Sequence, residues 1–137
     1  DVLSRIPEWL DASPVPGLAL ALVFNGKLVY EKAFGMASAA AKLAVTEQTI
    51  FQAASLSKPV VAMAALKVRD SGKLDLAKPL VSYVPGLFEN EAARAVTAAH
   101  VLSHSSGFPN WRFEVGQQLT PAFAPGEKFQ YSGEGFV

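Results

Sequence analysis

Phe51-Gln52-Ala53-Ala54-Ser55-Leu56-Ser57-Lys58-Pro59, running on through Val60 to Asp70, is the stretch on which the reading of this chain turns. From about Ser57 the pattern is helical, because Val60, Val61, Ala64, Ala65 and Val68 recur at three and four residues. Pro59 falls in the first turn, where its missing N–H costs nothing. Gly72 follows the last periodic residue, as a C′ glycine does. At the head of this helix Ser55 and Lys58 stand three residues apart, on one face. A helix N-terminus favours negative charge beside it, which suits an alkoxide or oxyanion forming at Ser55. A desolvated lysine can shed its proton and act as a base. The same residues also read as a capping serine before a surface lysine, and the spacing alone does not choose between the two.

Upstream, Leu18–Phe24 and Lys27–Phe34 are strand-like and joined by Asn25-Gly26, a strong hairpin signal because a type I′ turn needs positive φ at both central residues. Leu18 to Phe24 does not alternate with polar residues, which predicts a strand covered on both faces. Val2 to Ala12 carries Leu3, Ile6 and Leu10 at helical spacing, with Pro7 inside it. Pro14, Pro16 and Gly17 then break it. Ala37–Gln48 reads as a loop, and Ile50–Gln52 as a short strand. Downstream, Thr97–Ser103 reads as a short helix with Thr97 as N-cap, and the Gly-, Pro- and aromatic-rich remainder as loop. The class is α+β. A lone hairpin with three helices is a poor self-contained fold, so partner strands are expected elsewhere.

The 137 residues suit one small domain able to bury a real core, roughly two thirds of its unfolded surface. Lys+Arg and Asp+Glu number 12 each and are interspersed, which argues against a nucleic-acid surface or a polybasic membrane anchor. Half the residues are hydrophobic, yet the longest strongly apolar run, Leu18–Phe24, is too short to span a bilayer. The absence of cysteine excludes disulfides, thiolate nucleophiles and Cys-based metal sites, and leaves the redox compartment open. The chain opens at Asp1 with no leader signature, as a mature or trimmed chain would, and its end at Ser132-Gly133-Glu134-Gly135-Phe136-Val137 looks like a cut before another element.

Two further groups carry possible chemistry. The Tyr131 hydroxyl, with an ordinary pKa near 10, can serve as a base where a cation such as Lys58 lowers that value; an aromatic before Ser132-Gly133 can equally be packing. His100 and His104 stand four apart on a helix, a spacing that can bind zinc, but Val101 occupies the place of the zincin glutamate. A hydrogen-bonded histidine closing a helix is the better reading. Trp111, Phe113 and Phe123 read as packing before cleft lining.

Taken together, five segments in register resemble the penicillin-recognising serine hydrolases. Phe51–Pro59 looks like their nucleophile segment. Val15–Val23 with Asn25-Gly26-Lys27 is similar to their opening strand and hairpin. Gly72-Lys73-Leu74-Asp75-Leu76 with Val84-Pro85-Gly86 matches a spacer. His100–Gly107 resembles their Leu-Leu-Ser-His-Thr-Ser-Gly segment, and Pro125–Gly133 the stretch ending in Tyr-Ser-Asn. The subgroup holds class C β-lactamases, penicillin-binding D-alanyl-D-alanine carboxypeptidases, family VIII esterases and amidases.

The resemblance implies the N-terminal part of a β-lactamase-like fold. Residues 1–52 would give a helix and the hairpin of the sheet, and 53–137 a mainly helical part. It implies Ser55 as the acylated nucleophile, Lys58 as the residue that takes or relays its proton, and Tyr131 as general base. Half an oxyanion hole would come from the Ser55 N–H. It implies no metal and no organic cofactor, a small-molecule or peptide acyl substrate, and a C-terminal half or second chain to complete the site. A periplasmic or extracellular setting goes with it, while the residues themselves allow a cytoplasmic one. Gly133 departs from the family's Asn, which fits an esterase or amidase at least as well as β-lactam turnover. The third motif, Lys-Thr-Gly or His-Thr-Gly, is absent from these residues. These two departures keep a second expectation open, a non-catalytic binding or scaffold relative or an inactive fragment.

Overall fold

The computed structural model describes residues 2–114 and 116–137. The chain divides into two compact units, one ending at Gln52 and one starting at Ala53.

In the first unit a 3-10 turn, Leu3–Arg5, leads into helix α1, Ile6–Asp11. Pro7 sits in the first turn of α1, so the sequence's helix is retained but its opening turn is tighter. β1 (Gly17–Phe24) and β2 (Lys27–Ser38) pair antiparallel, from Gly17 opposite Gly35 to Phe24 opposite Lys27. Asn25 and Gly26 turn the chain with φ of 49° and 73°, the two positive values the hairpin demands. The pairing slips one residue between Leu22 and Val23, which raises the local twist. Gly17 is required sterically, since a Cβ there would lie 2.5 Å from the Met36 carbonyl oxygen and from the buried Val45 side chain.

Three sequence expectations change in this unit. β2 continues to Ser38 and pairs with a third strand, β3 (Leu43–Ala44), within the segment expected to be loop. The turn between them contains no glycine; Lys42 takes the left-handed conformation, φ 52°, so no turn signal was there to find. Ile50–Gln52 forms no strand, and Ile50 is almost fully exposed. The backbone there leaves one turn, closed by Thr49 N–H on the Thr46 carbonyl, and enters another, closed by Leu56 N–H on the Ala53 carbonyl. β1 is not covered on both faces: it is an edge of the three-stranded sheet, and Leu22, Val23 and Phe24 are exposed.

In the second unit α2 runs from Ser57 to Asp70, the span its periodicity predicts. Its end is a Schellman motif: Lys73 N–H donates to the Val68 carbonyl and Gly72 N–H to that of Arg69, with Gly72 at φ 75°. The apolar stripe behaves differently from expectation. Val60, Val61 and Val68 are exposed, while the half-buried line is Lys58, Ala62 and Ala65. Lysine on this line puts a charged side chain where the periodicity led one to expect an apolar one.

The core of this unit is Ala93, Val96, Val101 and Phe108, with Leu80, Phe88, Leu119 and Phe136 packed on it. Phe88 and Phe108 meet with ring centroids 5.4 Å apart, tilted by 54°. Helix α3 spans Ala98–Leu102, capped as predicted by Thr97. The Thr97 hydroxyl accepts the His100 N–H at 3.2 Å, and His100 Nδ1 accepts the Thr97 N–H at 3.2 Å. Histidine here stands in for the acidic partner of a capping box. α3 stops at Leu102, so His100 and His104 do not share a helix face as the spacing suggested. Trp111 and Phe113 do not pack; both are exposed, while Phe123 is half-buried under the Lys128 ammonium.

Candidate active site

The site is built where the head of α2 meets the segment after Phe129. Residues 54–56 form a 3-10 turn leading into α2, with Ser55 at its centre. Ala54, just before it, has φ 44°. A left-handed alanine costs about 1–2 kcal/mol, and such outliers gather where a side chain must be held at a fixed angle. One helical turn on, Lys58 Nζ donates to Ser55 Oγ at 3.2 Å. From 76 residues away in sequence, Tyr131 Oη donates to the same oxygen at 2.8 Å. The Lys58 ammonium also lies 4.9 Å from the Tyr131 ring centroid and 5.7 Å from that of Phe136. The three side chains singled out in the sequence, Ser55, Lys58 and Tyr131, therefore meet at one oxygen atom.

The charge of Lys58 acts on its neighbours. Tyr131 is held below the ordinary phenol value chiefly by its interaction with Lys58, then by the Ser55 hydroxyl, against a partial desolvation that pushes the other way. A phenol eased toward ionisation, hydrogen-bonded to a primary hydroxyl, can take that hydroxyl's proton along the line on which it now donates.

Tyr131 is held from behind. His104 occupies the left-handed C′ position after α3, φ 55°. Ser105 N–H donates to the His100 carbonyl at 2.8 Å and His104 N–H to that of Val101 at 3.0 Å, a Schellman turn made without glycine. The turn aims the imidazole at the Tyr131 segment. The rings stack with centroids 4.4 Å apart at 29°. His104 Nδ1 accepts the Ser132 N–H at 3.1 Å, and the His104 carbonyl accepts the Gln130 N–H at 2.7 Å. Burial, then the facing Lys58 charge, hold the imidazole below its ordinary pKa, in the neutral form that an acceptor Nδ1 requires.

Beyond Tyr131 the chain is pinned again. Ser132 is buried; its hydroxyl donates to the Pro109 carbonyl at 2.9 Å and accepts the Gly135 N–H at 2.9 Å. Glu134, its side chain 10% exposed, takes the Arg112 backbone N–H at 3.0 Å and the Arg112 guanidinium at 2.7 Å. Gly133 lies against Asn110: a Cβ there would stand 2.5 Å from the Asn110 carbonyl oxygen and 3.0 Å from its Oδ1. A side-chain amide at 133 has no room in this backbone. Among the described residues no cluster of His, Asp and Glu is arranged to hold a metal ion.

Sequence reasoning did not find the strained Ala54, the His104 support or the Arg112–Glu134 brace. The first two lack a signal because a positive φ on Ala or His leaves no mark in composition. The brace joins residues 22 apart across loops, where no periodicity applies.

Known proteins resemble this chain along nearly all its length. Residues 6–137 match the Beta-lactamase family. Esterase EstB of Burkholderia gladioli is 34% identical over 93 residues, which cover 66% of this chain and 24% of EstB. A class C β-lactamase structure superposes with a TM-score of 0.84 at 30% identity, covering 98% of this chain and 40% of that one. The D-alanine carboxypeptidase AmpC of Burkholderia cenocepacia gives 0.78 at 28% identity, over 98% of this chain and 39% of its own. The chain thus spans about a quarter of the first of these relatives and two fifths of the other two. The described architecture is a partial class C β-lactamase fold, and the chain belongs to the β-lactamase family.

Proposed function

We propose that this chain carries the nucleophile, the activating lysine and the general base of a serine hydrolase that works through an acyl-enzyme. The observation that carries the reading is the pair of hydrogen bonds converging on Ser55 Oγ, from Tyr131 at 2.8 Å and Lys58 at 3.2 Å. In this reading Ser55 Oγ attacks the carbonyl carbon of an acyl substrate while its proton passes to the Tyr131 phenolate. The Lys58 ammonium offsets the charge on both oxygens. The Ser55 N–H, at the head of α2, provides one donor to the oxyanion. Tyr131 then gives the proton to the departing oxygen or nitrogen as its bond to carbon breaks. Water attacks the Ser55 ester, its proton goes to Tyr131, and the acid leaves as Ser55 regains a proton. The net change is the addition of one water across the acyl bond.

The names of the relatives divide the substrates among esters, β-lactams and D-alanine peptides. Gly133, packed against the Asn110 backbone, leaves no amide at the position where the resembled Tyr-Ser-Asn motif has one. That favours an ester or amide substrate over a β-lactam.

A fluorophosphonate probe, followed by mass spectrometry of the labelled peptide, is expected to place the adduct on Ser55. Ser55→Ala is expected to abolish it, and Tyr131→Phe to slow it by about 10²–10⁴-fold. Labelling that persists in Ser55→Ala would remove Ser55 as the nucleophile. Nitrocefin and short-chain p-nitrophenyl esters, compared on the whole protein, separate the substrate classes.

A further inference from the structure

We propose that His104 is a positioning residue: clamped in a strained turn, it sets the Tyr131 phenol on Ser55 through its ring face, its Nδ1 and its carbonyl. The inference rests on the reading of Ser55 and Tyr131 as an acyl-transfer pair and adds to it the group that holds the base in place.

Three contacts converge from one residue on three consecutive positions. The His104 carbonyl fixes Gln130, its ring lies flat against Tyr131, and its Nδ1 fixes Ser132. A tyrosine side chain held only at its hydroxyl could swing about two torsions. Bonds on both flanking N–H groups fix its backbone, and the stacked ring fixes its plane. The half-buried imidazole also meets Phe129, edge-on with centroids 5.8 Å apart, and Phe136, tilted at 5.3 Å. Phe136 also packs on the core of this unit. The base is thereby referenced to the core through the imidazole as well as through the buried Ser132 that follows it.

The backbone at His104 supports a purpose beyond packing. Glycine would make this C′ turn without strain, yet a ring stands there at φ 55°. The cost is justified only if the side chain is needed. With Nδ1 accepting, the neutral ring carries its proton on Nε2. Charged or titratable groups facing it are Lys58 from α2 and the Tyr131 phenol. An imidazolium would both repel Lys58 and lose the bond to Ser132.

The test separates the roles with variants that tolerate the turn. His104→Gly removes ring and acceptor without backbone strain. His104→Asn keeps an acceptor and accepts a left-handed φ. Each is made in the chain carrying 13Cζ-labelled tyrosine. The Tyr131 signal is assigned by Tyr131→Phe among the three tyrosines, and the phenol is titrated by NMR. In the parent chain Tyr131 is expected to titrate below the ordinary phenol value. In His104→Gly it is expected to return toward that value as the phenol leaves Lys58 and Ser55, with partial recovery in His104→Asn. Fluorophosphonate labelling is expected to slow at least about tenfold in His104→Gly, because small misplacements of a catalytic group cost that much. A folded His104→Gly variant with an unchanged Tyr131 titration would overturn the proposal, leaving His104 a purely structural residue. Because the titration does not depend on turnover, it reports on His104 even if Ser55→Ala shows that the acyl-transfer reading is wrong.

Discussion

A single oxygen, Ser55 Oγ, accepts hydrogen bonds from an amine and a phenol, and the behaviour of the site follows from which of those donors can ionise. Lowering of the Tyr131 pKa by Lys58 means that its phenolate is populated below pH 10. Fluorophosphonate labelling should therefore rise with pH along a limb whose midpoint lies below the ordinary phenol value. Replacing Lys58 by Met should move that midpoint upward; a limb that stays in place in Lys58→Met would disconnect the two residues. Gly133 is the other residue with a sharp forecast. Gly133→Asn, which would restore the Tyr-Ser-Asn pattern, pushes a Cβ to 2.5 Å from the Asn110 carbonyl oxygen. It should destabilise the chain by about 1–3 kcal/mol, the usual cost of overpacking, read as a lower denaturation midpoint. An unchanged midpoint would show that the 110 and 133 segments can part freely.

At the scale of elements, the turns at the ends of helices do the placing. The Thr97–His100 box starts α3 and the strained His104 turn ends it, so five helical residues suffice to present one imidazole. Thr97→Ala should cost about 1 kcal/mol through the lost cap and should lower stability more than it slows labelling. The Arg112–Glu134 brace holds the 3-10 turn Glu134–Phe136, from which Phe136 reaches both core and site. Arg112→Ala strips a largely buried carboxylate of its charged partner. Because Arg112 is a third exposed, the loss should stay within about 1–3 kcal/mol, measured by urea unfolding. A loss below a few tenths would mean that water already serves that carboxylate.

For the molecule as a whole, His104 links acidity to stability. Its pKa is depressed in the folded chain by burial and by Lys58, while in the unfolded chain it returns to about 6.5. Below that value the unfolded state binds the extra proton, so its contribution is complete above pH 6.5 and is lost as pH falls toward the folded value. Melting temperature should decline across that window in the parent chain and decline less in His104→Asn. Parallel declines in the two would assign the acid sensitivity to carboxylates instead.

The sequence by itself determined what depends on neighbours within a turn or two. The limits of α2, the Asn25-Gly26 hairpin, the Thr97 cap and the Ser55–Lys58 couple all follow from spacing of three or four residues, or from residues suited to positive φ. The five segments in register also announced the family, since each is a contiguous string. Other features lay beyond it: the third strand turned by Lys42, the exposed faces of β1 and α2, and the solvent exposure of Trp111 and Phe113. Each depends on what stands opposite the residue, which periodicity does not encode. Only the tertiary structure brought Tyr131 across 76 residues to 2.8 Å from Ser55, with His104 behind it. The physical reason is that a hydrogen-bonded triad is a statement about distance, and distance between remote segments is set by how the core closes.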